Sequence, residues 1–144
     1  MSVELPFAPV DAVIRRNAGN LRVSGDAAEA LALRIQNHGA ALAVEAAERA
    51  TADGRKTLMT EDFDVSSVDR TEVKIPIAPV DRIARLDIDD RYRVSMDARV
   101  ALASRLEAYA DSIAGASAAF ARHAGRRTIK AEDIELYFEI KPYC

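Results

Sequence analysis

Leu5-Pro-Phe-Ala-Pro-Val-Asp11 returns 70 residues later as Ile75-Pro-Ile-Ala-Pro-Val-Asp81. The echo continues in order, with Arg22-Val-Ser24 returning as Arg93-Val-Ser95, Gly54-Arg-Lys-Thr57 as Gly125-Arg-Arg-Thr128 and Glu61-Asp-Phe63 as Glu132-Asp-Ile134, each at an offset of 71. Ordered matches across all 144 residues mark an internal duplication, and the step from 70 to 71 places one extra residue in the second copy between Asp81 and Arg93. The copies divide at residues 1–70 and 71–144. A half of this length is near the lower limit for burying a self-sufficient core, so the halves are expected to pack on each other.

Each copy reads as short helix, loop, long helix, loop, short helix. Pro9 and Pro79 suit a first helical turn, where a missing N–H costs nothing, and the helices they open are expected to run to about Asn17 and Asp87. Ser24 and Ser95 read as N-caps of the long helices, with Asp26 and Asp97 placed to favour the positive end of the helix dipole. Leu102, Leu106, Tyr109, Ile113 and Phe120 recur at helical spacing in the second copy, and Leu31, Ile35, His38 and Leu42 take the equivalent places in the first. Such a stripe is core, and His38 reads as a core histidine. Gly54 and Gly125 read as C-cap glycines, after which the last helices are expected to begin near Thr60 and Lys130. A central helix of about 28 residues is roughly 40 Å long, and two short helices cannot cover its apolar stripe. The fold class is therefore all-α, with the two copies forming an intramolecular pseudo-dimer.

Composition bounds the function. With 49% hydrophobic and 30% charged residues the chain has the make-up of a soluble globular protein, without a stretch long and apolar enough to span a membrane. The single cysteine, Cys144, excludes a disulfide framework and a cysteine metal site and points to a reducing, intracellular setting. There is no Ser/His/Asp or Cys/His set for catalysis, and Gly54-Arg-Lys-Thr57 resembles only the end of a phosphate-binding loop, without its earlier glycine and preceding strand. No enzyme activity, cofactor, metal or small-molecule substrate is expected. Twenty basic against 23 acidic residues give a net charge of −3, the reverse of the usual nucleic-acid-binding footprint. The imbalance lies in the first half: residues 1–72 hold 8 basic and 12 acidic side chains, residues 73–144 hold 12 and 11.

The ordered set Leu-Pro-x-Ala-Pro, Arg-Val-Ser, Gly-Arg-Lys-Thr and Glu-Asp, found twice, resembles the archaeal histones, and the tandem arrangement resembles their doublet members. The likeness covers about residues 4–66 and 75–140. It implies two histone folds in a handshake that holds duplex DNA at two paired-loop sites and at the meeting point of the first helices. Carried over residue by residue, Arg22 and Ser24 should share a site with Arg127 and Thr128, and Arg93 and Ser95 should share one with Lys56 and Thr57. Arg15, Arg82 and Arg85 match the central contact, with Ala12 standing where the second copy has Arg82. Such donors hold phosphate without reading sequence. Arg55 and Arg126 should instead brace their loops by pairing with Asp62 and Asp133.

Phe120, His123 and Asp133 match the surface through which histone dimers of the family associate, whereas the first copy has Arg49 and Ala52 in place of Phe120 and His123. Doublets should therefore associate through the second copy. The resemblance implies a chromosome-associated, cytoplasmic protein that bends, wraps or compacts duplex DNA with little sequence preference. The alternative is a histone-fold transcriptional regulator or interaction scaffold, which the acidic balance and the altered first-copy surface favour.

Overall fold

The computed structural model describes residues 2–143, so Met1 and the single cysteine, Cys144, lie outside the described residues. Five helices and four two-residue strands follow one another as α1 (Phe7–Ala18), β1 (Arg22–Val23), α2 (Gly25–Ala52), β2 (Thr57–Leu58), α3 (Ile77–Ala84), β3 (Arg93–Val94), α4 (Met96–His123), β4 (Thr128–Ile129) and α5 (Ala131–Ile140).

Local chemistry accounts for the boundaries. Pro9 and Pro79 fall in the first turns of α1 and α3, where no intrahelical partner is lost. The Oγ of Ser24 accepts from the Ala27 N–H at 3.1 Å and that of Ser95 from the Ala98 N–H at 3.0 Å, which start the two 28-residue helices as N-caps. At the far ends Gly54 and Gly125 take φ of 72° and 73°, and the following N–H groups of Arg55 and Arg126 return to the carbonyls of Ala50 and Ala121. That is the closure for which glycine is selected.

The chain forms two compact units, and neither is a single copy. One comprises the residues up to Leu5 together with Gln36–Glu107; the other comprises Pro6–Ile35 and the residues from Ala108 onward. In the first unit, Leu42, Leu58, Phe63, Ile75, Val80, Ile83, Leu102 and Leu106 are buried. A Cβ added at Gly39 there would lie 2.8 Å from Ile83 Cγ2 and 3.0 Å from a Leu106 methyl, so α2 is tightly packed at a point only glycine permits. In the second unit Val10, Val13, Ile14, Leu31, Ile35, Ile113, Ile129 and Ile134 are buried. Each unit contains a first loop of one copy hydrogen-bonded to a second loop of the other, which is the exchange that defines a histone handshake.

Three expectations need correction. The last helix of the first copy is reduced to a 3-10 turn over Thr60–Phe63, ended by Asp64 at φ 59°. Where α5 continues with Leu136-Tyr-Phe138, the first copy has Val65-Ser-Ser-Val68, whose β-branched and hydroxyl side chains favour non-helical backbone. The helix opened at Pro79 stops at Ala84 rather than Asp87, before the Asp87–Asp90 stretch that would place carboxylates at its negative end. His38 is half-buried, flanked by the buried Ile35 and Leu42 that carry the stripe.

Candidate nucleic-acid interface

In the second unit β1 runs parallel to β4, with Arg22 opposite Thr128 and Val23 opposite Ile129. The Arg22 N–H donates to the Arg127 carbonyl at 2.8 Å and the Ser24 N–H to the Ile129 carbonyl at 3.0 Å. The first unit repeats this with β2 and β3: Thr57 lies opposite Arg93, the Arg93 N–H donates to the Lys56 carbonyl at 2.8 Å, and the Ser95 N–H donates to the Leu58 carbonyl at 3.1 Å. Alternation along each short strand buries Leu58, Val94 and Ile129 and leaves Arg22, Arg93, Lys56 and Arg127 exposed. Among the described residues these four cations form no ion pair or side-chain hydrogen bond. Each paired loop thus presents two cations and two hydroxyl residues on one backbone platform.

The first arginine of each second loop is committed elsewhere. Arg55 donates to both carboxylate oxygens of Asp62 at 2.9 Å and to the Thr57 carbonyl at 2.8 Å; Arg126 donates to Asp133 at 2.7 and 2.5 Å and to the Thr128 carbonyl at 3.0 Å. Both aspartates are only 2% exposed, and each also accepts the N–H that opens the following turn, from Met59 at 2.7 Å or Lys130 at 2.8 Å. Burial pushes these carboxyls up, but the guanidinium hydrogen bonds and the backbone N–H outweigh it and hold Asp62 and Asp133 below the usual carboxylate value. Arg55 and Arg126 are correspondingly raised, chiefly by the same hydrogen bonds. These contacts tie each second loop to the turn that follows it.

The candidates for a central contact carry carboxylates of their own. Arg15 is paired with Asp11 at 2.6 Å, Arg82 with Glu4 at 3.0 Å, and Arg85 with Asp81 at 3.2 Å. Arg15 belongs to the second unit and Arg82 and Arg85 to the first.

The profile of the protein family described as "Histone-like transcription factor (CBF/NF-Y) and archaeal histone" matches the chain twice, at residues 3–66 and 73–137. The chain belongs to this histone family. The archaeal histone HAN1 of Thermococcus zilligii is 51% identical over 63 residues, covering 44% of this chain and 91% of that protein. The crystal structure of the histone from Methanopyrus kandleri matches with a TM-score of 0.65 at 25% identity, over 91% of both chains. Membership makes the chain a DNA-binding chromatin protein built of two tandem histone folds, and not an enzyme.

The two histone folds differ at the end of the long helix. In the second, Phe120 is half-buried, His123 is exposed and Asp133 is buried against Arg126. In the first, Arg49 replaces the aromatic residue, donates to the Asp62 carbonyl at 2.6 Å and pairs with Asp64 at 3.1 Å, so a charged cap covers the end of the 3-10 turn. Sequence reasoning passed over this role of Arg49, and over Arg122, whose guanidinium donates to the Ala18 carbonyl at 3.0 Å. Arg122 has its copy equivalent at Thr51, which shares a hydrogen bond with the Tyr92 hydroxyl. Comparing the copies position by position would have flagged both arginines as departures, but not their distant partners.

Among the described residues no helix is long and apolar enough to cross a membrane.

Proposed function

We propose that this histone binds duplex DNA through its two paired-loop sites and bends, wraps or compacts it with little sequence preference. Arg22, Ser24, Arg127 and Thr128 hold phosphates at one site, and Lys56, Thr57, Arg93 and Ser95 at the other. The observation that carries the reading is the set of exposed, unpaired cations at Arg22, Arg127, Lys56 and Arg93 on two hydrogen-bonded loop platforms. Donors of this kind grip the backbone and leave sequence to the deformability of the DNA. An arginine at Arg22 or Arg93 also suits a narrow minor groove. Arg15, Arg82 and Arg85 add a weaker contact, because phosphate must compete there with Asp11, Glu4 and Asp81. Arg55 with Asp62, and Arg126 with Asp133, keep the loops in register. Residues 1–70 and 71–144 are the duplicated units of sequence, and the family to which they belong places the protein on the chromosome in the cytoplasm.

Self-association through the second copy follows from Phe120 and His123 standing uncapped where Arg49 caps the first. A doublet with one such face forms a closed pair rather than an open array. That limit also favours a second reading, a locus-specific regulator with little packaging capacity. Nuclease digestion of DNA reconstituted with the protein separates the two: protection of a ladder of regularly spaced lengths supports packaging, and protection at a few discrete sites without a ladder refutes it.

A further inference from the structure

We infer that the two paired-loop sites are unequal, the Arg22 and Arg127 site being the principal anchor on duplex DNA and the Lys56 and Arg93 site being held weak by aspartates on its own rim. This rests on the reading that the paired loops bind DNA and deepens it.

The loop segments 17–24 and 122–128 of the second unit contain four arginines and no carboxylate. Their counterparts in the first unit, 87–95 and 51–57, contain four basic residues and four aspartates: Asp53, Asp87, Asp89 and Asp90. Flanking carboxylates at Asp26 and Asp97, and at Glu61 and Glu132, occur in both copies and cancel in the comparison. The acidic rim is ordered against the cations it opposes. Asp89 accepts from the Arg91 N–H at 2.9 Å and from the Arg91 Nε at 3.1 Å, beside an open hollow of about 280 Å³ lined by Thr51, Gly54, Arg55, Lys56, Arg91 and Tyr92. Asp53 pairs with Arg55 at 3.1 Å. The charges of Arg91 and, more weakly, Lys56 help hold Asp89 below the usual carboxylate value, so Lys56 already acts on an internal anion.

At the other site the substitution runs the opposite way. The place of Thr51 is taken by Arg122, which anchors the end of α1 through the Ala18 carbonyl and brings a further cation to the rim. Gly19, at φ 62°, accommodates it, since a Cβ there would lie 3.1 Å from the Arg122 guanidinium. Asn17 and Asn20 stand in the first loop of this site, where the second copy's loop carries its aspartates. A phosphate approaching Arg22 and Arg127 meets uncompensated charge, and one approaching Lys56 and Arg93 must first displace or tolerate carboxylates. With a Debye length of about 10 Å at 0.1 M salt, aspartates within the same pair of loops are close enough for this to matter.

The test is salt-titrated binding of the full chain to one short duplex, comparing Arg22→Ala/Arg127→Ala with Lys56→Ala/Arg93→Ala. Loss of two phosphate contacts lowers the salt slope by about 1.8 units, or roughly 30-fold in affinity at 0.15 M salt referred to 1 M. That loss is expected for the first variant, and less than about threefold for the second. Asp87→Asn/Asp89→Asn/Asp90→Asn should tighten binding, and in that background Lys56→Ala/Arg93→Ala should cost about tenfold or more; the reciprocal exposed change Asn20→Asp should weaken the wild type. Equal losses in the two alanine variants, or unchanged affinity in the triple asparagine variant, would overturn the inequality while leaving DNA binding by the loops intact. If neither alanine pair weakens binding at any salt, the paired-loop reading fails and the inequality fails with it.

Discussion

Replacing Asp133 with alanine should destabilise the second unit by about 3 kcal/mol while leaving its apolar core untouched. The carboxylate is 2% exposed and accepts three hydrogen bonds, two from Arg126 at 2.7 and 2.5 Å and one from the Lys130 N–H at 2.8 Å. Bonds to a charged group contribute about 1.5–3 kcal/mol each when buried, and removing one member of a buried pair costs about 3–5 kcal/mol. The guanidinium, at 25% exposed, keeps partial access to water after the change, which places the cost at the lower end of that range. Asp133→Asn preserves the volume and one acceptor and should cost about 2 kcal/mol. For a chain of this size the alanine variant should melt about 6–12 °C lower. Thermal and urea unfolding followed by circular dichroism measure both quantities, run at two protein concentrations because any association through this face makes the midpoint concentration-dependent. A loss below about 1 kcal/mol for Asp133→Ala, or an Asp133→Asn variant as stable as the wild type, would refute the accounting.

The same pairs set the acid limit. Asp62 and Asp133 have folded-state values below the ordinary 3.8, so their stabilisation is complete above about pH 4 and is lost as the pH falls further; in Asp62→Asn/Asp133→Asn the acid-side decline should be shallower, and an unchanged decline would show that other carboxylates govern it. Gly39→Ala should cost about 1–3 kcal/mol, because the new methyl meets Ile83 at 2.8 Å and Leu106 at 3.0 Å, and a neutral result in denaturant titration would show that the contact relaxes freely. His123→Ala should reduce the sedimenting mass to that of a single doublet, whereas Ala52→His should leave it unchanged because Arg49 and Asp64 still cap that end; an unaltered mass in His123→Ala at every salt concentration would remove the second-copy interface.

Much of the fold was legible because it was written twice. The serine caps, the glycine stops and the stripe through Leu102, Leu106 and Ile113 each correspond to a one-dimensional signal of local physics. What stayed hidden was the failure of the first copy's last helix. Glu61-Asp-Phe63 matches its counterpart closely, and the outcome turns on Asp64 and Val65-Ser-Ser-Val68, where the copies have diverged. The pairing of Arg22 with Thr128 and of Thr57 with Arg93 joins residues remote in sequence, and it was anticipated only through the family resemblance, not from spacing. Ion pairs on Arg15, Arg82 and Arg85 were legible only in part: Asp11 and Asp81 sit four residues from Arg15 and Arg85, but the Glu4 partner of Arg82 lies 78 residues away.

The most direct test of DNA binding by the paired loops is a salt-titrated electrophoretic shift of one duplex by the wild type beside Arg22→Ala/Arg93→Ala. Weaker binding at low salt and a smaller salt slope in the variant are the predicted results. Equal affinity of the two proteins at low salt would contradict the claim that these loops hold the DNA.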